Sequence, residues 1–225
     1  MKSKMKTILT LTALLTVGLF LGVGGATAAL TSIVPGPETP LTGVGGILDQ
    51  LYGLGNLDRV DDDGDRTWFP ANGYVTAQAK FADFGQEFGY IPDLNDPGFL
   101  DDAFVPLFTV PGGTNGIGLG GPSATLNSGN VPFLWALNPS GAPLWTSLPS
   151  QNSDGLDHMV TWEVLDRVNT WVIAWEDLPG PLTGISDRDF NDLVVEVTVV
   201  PIPPAFLLLG SGLVGLLGLR KRFKG

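Results

Sequence analysis

The residues with the most chemical promise are carboxylates that come in two clusters. The sharper one is split. Trp175-Glu176-Asp177-Leu178-Pro179 closes an apolar run, and after a short Gly/Pro connection comes Ser186-Asp187-Arg188-Asp189-Phe190-Asn191-Asp192. The chain then continues as Leu193 to Val200, whose odd positions Leu193, Val195, Val197 and Val199 form an apolar row. Carried backwards, that row would bury Asp187, Asp189 and Asn191 and expose Phe190. Burying carboxylates without partners costs several kcal/mol, so the spacing predicts a backbone bend near Asn191. Such a bend presents oxygen ligands beside Glu176 and Asp177, as a hard cation requires. The expected metal ligands are therefore Asp187, Asp189, Asn191, Asp192, Glu176 and Asp177, with Ca²⁺ as the ion. The competing reading makes Arg188 the counter-charge of a purely structural arrangement.

The second cluster is Asp58 with Asp61-Asp62-Asp63-Gly64-Asp65. Asp61, Asp63 and Asp65 have the alternate spacing that lets carboxylates wrap a cation, and they are secondary metal candidates. They do not make an EF-hand, because Arg66 stands where that loop needs Gly and Asn72 where it needs Glu. A solvated acidic turn is the alternative. His158, the single histidine, sits beside Val160 and Trp162, where a hydrogen-bonded structural role is expected rather than proton transfer. There is no cysteine, so neither disulfides nor a thiol nucleophile enter. Trp68, Trp135, Trp145 and Trp171 could stack on sugars if exposed, or pack a core if buried. Glu163 and Glu176 are the pair a glycan hydrolase would use, if they face each other at the spacing such pairs need.

These groups must be positioned by strands. Tyr74 to Phe81 alternates Val75, Ala77, Ala79 and Phe81 against Tyr74, Thr76, Gln78 and Lys80, the period of a half-buried strand. His158 to Leu165, Trp171 to Glu176 and Leu193 to Val200 read the same way, rich in β-branched and aromatic residues. Pro111 to Pro132 is a Gly-rich connection with no core pattern of its own. Only short helices are expected, over Ile47 to Leu54 and Gly98 to Phe104. Many short strands with Gly and Pro between them predict an all-β fold, an antiparallel β-sandwich of jelly-roll type, over residues 47–199. Residues 29–46, rich in Pro, Gly and Thr, read as a linker or an irregular leading segment.

Both ends of the chain read as membrane-directed. Lys2, Lys4 and Lys6 precede the apolar Ile8 to Val23, and Ala26-Thr27-Ala28 has the small-x-small pattern of a signal peptidase site. Residues 1–28 are thus expected to be a signal peptide, cut after Ala28 or, as runner-up, Ala29. At the other end, Val200-Pro201-Ile202-Pro203-Pro204 leads into an apolar stretch and then Arg220-Lys221-Arg222-Phe223-Lys224-Gly225. Ile202 to Leu219 makes about 27 Å of helix, barely the thickness of a hydrocarbon core. The basic tail should stay cytoplasmic. Apart from the ends, the cations are Arg59, Arg66, Lys80, Arg167 and Arg188, against 23 acidic residues. So acidic a body does not suit nucleic acid, whose binding rests on cationic neutralisation of phosphate.

Val-Pro-x-Pro, an apolar segment containing Leu-Leu-Gly-Ser-Gly-Leu and a terminal Arg-Lys-Arg cluster together resemble the PEP-CTERM sorting signal, here over residues 200–225. The resemblance implies a Gram-negative envelope, recognition by an exosortase-type transpeptidase, removal of the C-terminal helix, and a cell-surface or extracellular destination. Pro201-Ile202-Pro203 departs from that family's Pro-Glu-Pro core. A second resemblance lies in Trp-Glu-Asp-Leu followed by Ser-Asp-Arg-Asp-Phe-Asn-Asp-Leu-Val. It is similar to the C-terminal signature of a bacterial surface-domain family, with weaker matches at Asp157-His158 and Phe88-Gly89-Tyr90. That family implies a β-rich domain that binds calcium rather than a known reaction. Three functions stay open: a non-enzymatic Ca²⁺-stabilised surface or matrix protein associated with exopolysaccharide or adhesion, a carbohydrate-binding module, and a glycan-acting hydrolase.

Overall fold

The computed structural model describes residues 30–69, 72–93, 103–129, 131–180 and 186–200. The expected signal peptide and the expected sorting signal beyond Val200 lie outside the described residues, as does most of the helix expected over Gly98 to Phe104. Among the described residues no helix is long and apolar enough to cross a membrane.

In chain order the elements are α1 (Ile47–Tyr52), β1 (Leu57–Arg59), β2 (Asn72–Lys80), β3 (Gln86–Pro92), β4 (Val105–Val110), β5 (Gly116–Ile117), β6 (Ser123–Asn127), β7 (Phe133–Pro139), β8 (Trp145–Thr146), β9 (Met159–Val164), β10 (Thr170–Trp175) and β11 (Leu193–Val200). The larger sheet has the order β1-β9-β10-β11-β2, with β5 and β6 both paired to β2; the smaller has the order β4-β3-β7-β8. All pairings are antiparallel. The chain passes back and forth between the sheets, from β2 to β3, β4 to β5, β6 to β7 and β8 to β9. The expected β-sandwich is the observed fold.

Two apolar clusters hold it. Between the sheets lie Phe88, Phe133, Trp135, Leu137, Trp145, Met159, Ile173, Trp175, Leu193, Val195 and Val197, among others. On the far face of the larger sheet, Leu41, Ile47, Leu48 and Tyr52 cover Val160, Trp162, Val172, Ala174 and Val194. Because β9, β10 and β11 are buried on both faces, they read as near-continuous apolar runs rather than clean alternations. Residues 30–46, rich in Pro and Gly, are therefore a packed, irregular leading segment rather than a free linker. Leu41 within it is buried, and its backbone is tied down by hydrogen bonds from Ile47 N to Pro40 O (2.9 Å) and Leu48 N to Leu41 O (3.0 Å).

Two local expectations need correction. Residues 111–132 contain β5 and β6, and Leu126 of β6 is buried in the inter-sheet core. Ala124 and Leu126 alternate with Ser, Thr and Asn, but two apolar residues, one of them small, are too short a pattern to reveal a strand. In β2, Val194 pairs with Ala79 but Val195 with Ala77, so Gln78 is an extra residue that bulges. A bulge reverses the facing of everything beyond it. Val75 and Ala77 face the inter-sheet core, Ala79 faces the outer cluster, and Lys80, expected on the solvent side, is fully buried.

Candidate metal centre

β10 and β11 are neighbours, with Trp175 opposite Leu193. The residues just after β10 and just before β11 therefore emerge at one end of the sandwich. Asp192 N donates to Trp175 O (3.2 Å), and Asp177 N donates to Asp192 Oδ2 (2.7 Å). The backbone there is braced from behind. Trp145 Nε1 donates to Asp177 O (2.7 Å). Glu176 N donates to His158 O (3.0 Å), and His158 Nδ1 lies 2.9 Å from Glu176 O. The imidazole stacks on Trp145 at 3.7 Å and 4°, with Nε2 3.0 Å from Asp154 Oδ2. Both ring nitrogens face acceptors and the residue is buried, so His158 is the structural histidine its surroundings suggested.

The bend expected near Asn191 is made by two left-handed residues, Arg188 (φ 59°) and Phe190 (φ 56°). This conformation is uncommon for bulky side chains and stores strain of about 1–3 kcal/mol at each position. It breaks the strand alternation and removes part of the conflict seen in the sequence, because it turns Phe190 inward and leaves Asp187 exposed. Phe190 is buried in the outer apolar cluster, and Asp189 and Asn191 are buried too. Arg188 lies over the Phe190 ring, 5.5 Å from its centroid. Among the described residues it forms no ion pair with the cluster, so it is not the counter-charge.

Two groups of carboxylates have ligand atoms within 4.8 Å of one another: Glu176 with Asp187 and Asp189, and Glu176 with Asp177 and Asp192. The groups share Glu176 and differ in how they are satisfied. Asp177 accepts from Gln86 Nε2, Asp192 accepts from the Asp177 backbone, and buried Lys80 exerts an attractive charge on both. The first group is relieved only in part: Leu178 N donates to Glu176 Oε1 (3.3 Å), and no cation lies among its described neighbours. Among the described residues, Glu176 Oε2 and Asn191 Oδ1 are buried with no hydrogen-bond partner. Asp187 is exposed, which leaves that side open to solvent. Asp189 Oδ1 accepts from Asn191 N (3.1 Å) and Asp189 Oδ2 from Asn191 Nδ2 (2.6 Å). A leftover acceptor set of this kind, in which buried oxygens lack donors, fits a cation.

Electrostatics agrees. Burial, then the charge of Asp187, pushes the Glu176 carboxyl up to about 7. Burial pushes Asp177 and Asp189 each up to about 6, and raises Asp192 with repulsion from Asp177 added. Within the protein, these groups are relieved by holding protons.

Three contributors were not legible in the sequence. Gly36 packs against the first group so closely that a Cβ there would collide with Asp189 Oδ2 and sit 3.1 Å from Asp187 Oδ2. Pro35-Gly36-Pro37 marks a rigid turn in the sequence but gives no hint of what it covers. The leading segment is pinned there by Val34 N donating to Arg188 O (2.9 Å) and Asn191 Nδ2 to Thr39 O (3.2 Å). Lys80 and Gln86, the other two, arrive from β2 and β3.

The secondary candidates do not converge. Asp61 Oδ1 accepts from Asp63 N (3.0 Å), Asp63 pairs with Arg66 (2.7 Å) in the open, and Asp65 is buried apart from them. The run is an acidic turn with one inward residue. Nor do Glu163 and Glu176 form a pair. Glu163 is exposed opposite Trp171 at the start of β10, and Glu176 follows the end of that strand, roughly 16 Å away at about 3.3 Å per residue.

Residues 102–200 match the family described as Domain of unknown function (DUF4114). That stretch carries the Glu176-to-Asp192 signature. The folded unit is larger than the match, because β2 completes the larger sheet beside β11 and β3 the smaller beside β7. No curated protein matches the chain.

Proposed function

We propose that this chain is an exported, non-enzymatic surface or extracellular-matrix protein whose β-sandwich is stapled by Ca²⁺ at Glu176, Asp187, Asp189 and Asn191. The observation that carries this reading is the pair of partnerless buried oxygens, Glu176 Oε2 and Asn191 Oδ1, beside two further carboxylates. Calcium is favoured over softer metals because the donors are all oxygen, cysteine is absent and the one histidine is engaged elsewhere. Irregular loops rather than a fixed octahedral cage also suit calcium better than magnesium. Bound there, the ion would neutralise carboxylates on either side of the β10–β11 connection and under the leading segment. Asp177 and Asp192 would remain with Lys80 and Gln86.

The sorting reading supports the same picture. A signal peptide, then a PEP-CTERM-type segment read by an exosortase-type transpeptidase, would deliver the domain to the cell surface. There extracellular modules meet calcium at concentrations that populate weak sites. Association with exopolysaccharide or adhesion is the role this location favours.

The test is a pair of thermal melts, with calcium and with chelator. At free calcium 100 times the dissociation constant, one site adds about 2.7 kcal/mol, or about 5–10 °C for a domain of this size. Asp189→Ala should remove most of that gain. Coincident melts of the parent protein in the two conditions would overturn the calcium reading.

A further inference from the structure

At the end of the sandwich away from the acidic groups, a cleft of about 320 Å³ opens between Val60, Asp65, Trp68, Phe69, Trp171 and Val199, with Thr161 in its lining. Its walls are largely apolar, with Trp68, Phe69 and Trp171 among them, and preorganised. Trp68 is bridged to Phe133 by two backbone hydrogen bonds (2.8 and 2.9 Å), and its Nε1 donates to Asp65 O (2.8 Å). Its ring meets Trp135 and Trp171 edge-on at 5.6 and 5.7 Å. Phe69 projects at the rim, 79% exposed. Trp135 and Trp145, by contrast, are wholly inside the core.

The polar lining is what makes this more than an apolar dent. Asp65 and Thr161 are 2% and 0% exposed, yet among the described residues Asp65 Oδ2 and Thr161 Oγ1 have no hydrogen-bond partner. The Thr161 hydroxyl lies near enough to lower the Asp65 carboxyl as a hydrogen-bond donor does, although neither atom meets a partner in good geometry. Buried polar atoms are almost always partnered, so a ligand hydroxyl that reaches this wall would gain hydrogen bonds the chain leaves open. Burial, offset in part by Thr161 and Arg59 and reinforced by Asp157 and Asp62, pushes the Asp65 carboxyl up to about 8. At neutral pH it is mostly uncharged and can donate as well as accept. A neutral ligand with hydroxyls and an apolar ring face meets such a surface, and the volume is at the small end of ligand sites.

We propose that this cleft binds one neutral pyranose unit, stacked on Trp171 and Trp68 with ring hydroxyls satisfying Asp65 and Thr161. It uses none of the metal-site residues, so it stands or falls separately from the calcium reading.

The experiment is a titration of the full chain, followed by tryptophan fluorescence and saturation-transfer NMR, with methyl glycosides of glucose, mannose, galactose and rhamnose. At least one should bind saturably. Trp171→Ala and the near-isosteric Thr161→Val should each weaken it by about tenfold or more, while the calcium-dependent melting shift of the same variants is retained. Asp65→Asn, which keeps a neutral donor and acceptor in place, should bind within about threefold of the parent. No response to any glycoside, binding of tetramethylammonium in their place, or unchanged affinity in Thr161→Val would each overturn the proposal.

Discussion

Glu176 couples the two acidic groups, and its titration gives the site a pH signature. Its carboxyl is raised from 4.5 to about 7, and those of Asp177 and Asp189 from 3.8 to about 6. The native state therefore holds protons that the unfolded chain has already released. Stability from this source is complete below about pH 4 and is lost as pH rises through 6 to 7. In chelator, the Glu176 share of this decline, on the order of 3 kcal/mol between about pH 4 and pH 7.5, should appear in urea unfolding as the difference between the parent and Glu176→Gln; Asp65 in the cleft adds a decline of its own that calcium leaves untouched. Calcium should abolish most of the Glu176 share, because it replaces the protons. A chelated protein whose stability is flat or rises over this window would show that the carboxylates are not held as described. The residue types were legible in the sequence at this scale. Which oxygens lack partners was not, since that depends on Gln86 and Lys80 from distant strands.

The leading segment and the β2 bulge decide what the strands present. Gly36 lets the backbone of residues 34–39 lie on Asp187 and Asp189, a contact that a side chain would prevent. Gly36→Ala should therefore weaken calcium affinity at least about tenfold and destabilise the calcium-loaded protein by about 1–3 kcal/mol. Isothermal titration and urea melts measure the two effects, and parent-like values in both would show that the segment is not part of the site. The bulge at Gln78 is the other device. Strand alternation correctly assigned Val75 and Ala77 to the core, but one inserted residue turned Ala79 outward and Lys80 inward. Nothing local in the Gln78 sequence announces the bulge, because it is a property of the pairing with β11.

At the scale of the molecule, the sandwich has two chemically different ends, joined by β10. The acidic groups follow Trp175 at one end, and the aromatic cleft gathers around Trp171 at the other. Described core contacts are complete by Val200, where β11 ends against Asn72. Removing residues 201–225 should therefore leave the thermal and urea melts of the body within about 0.5 kcal/mol of the parent. The same deletion should release the protein from the membrane fraction. A truncated chain that aggregates or loses its far-UV β signal would assign those residues to the fold instead of to sorting.

Sequence alone determined the fold class, the four strands β2, β9, β10 and β11, the acidic signature before β11 and the need for a bend there. These follow from periodicity and from the cost of burying charge, both of which act within a few residues of chain. Tertiary structure alone decided the rest. It selected Asp187 and Asp189 over Asp61 and Asp63, turned Lys80 inward, folded residues 30–46 over the site and separated buried Trp135 and Trp145 from cleft-lining Trp68 and Trp171. Each of those outcomes depends on which distant segments pack together. Whether a polar atom finds a partner, or a ring is covered, is settled by neighbours that sequence order does not specify.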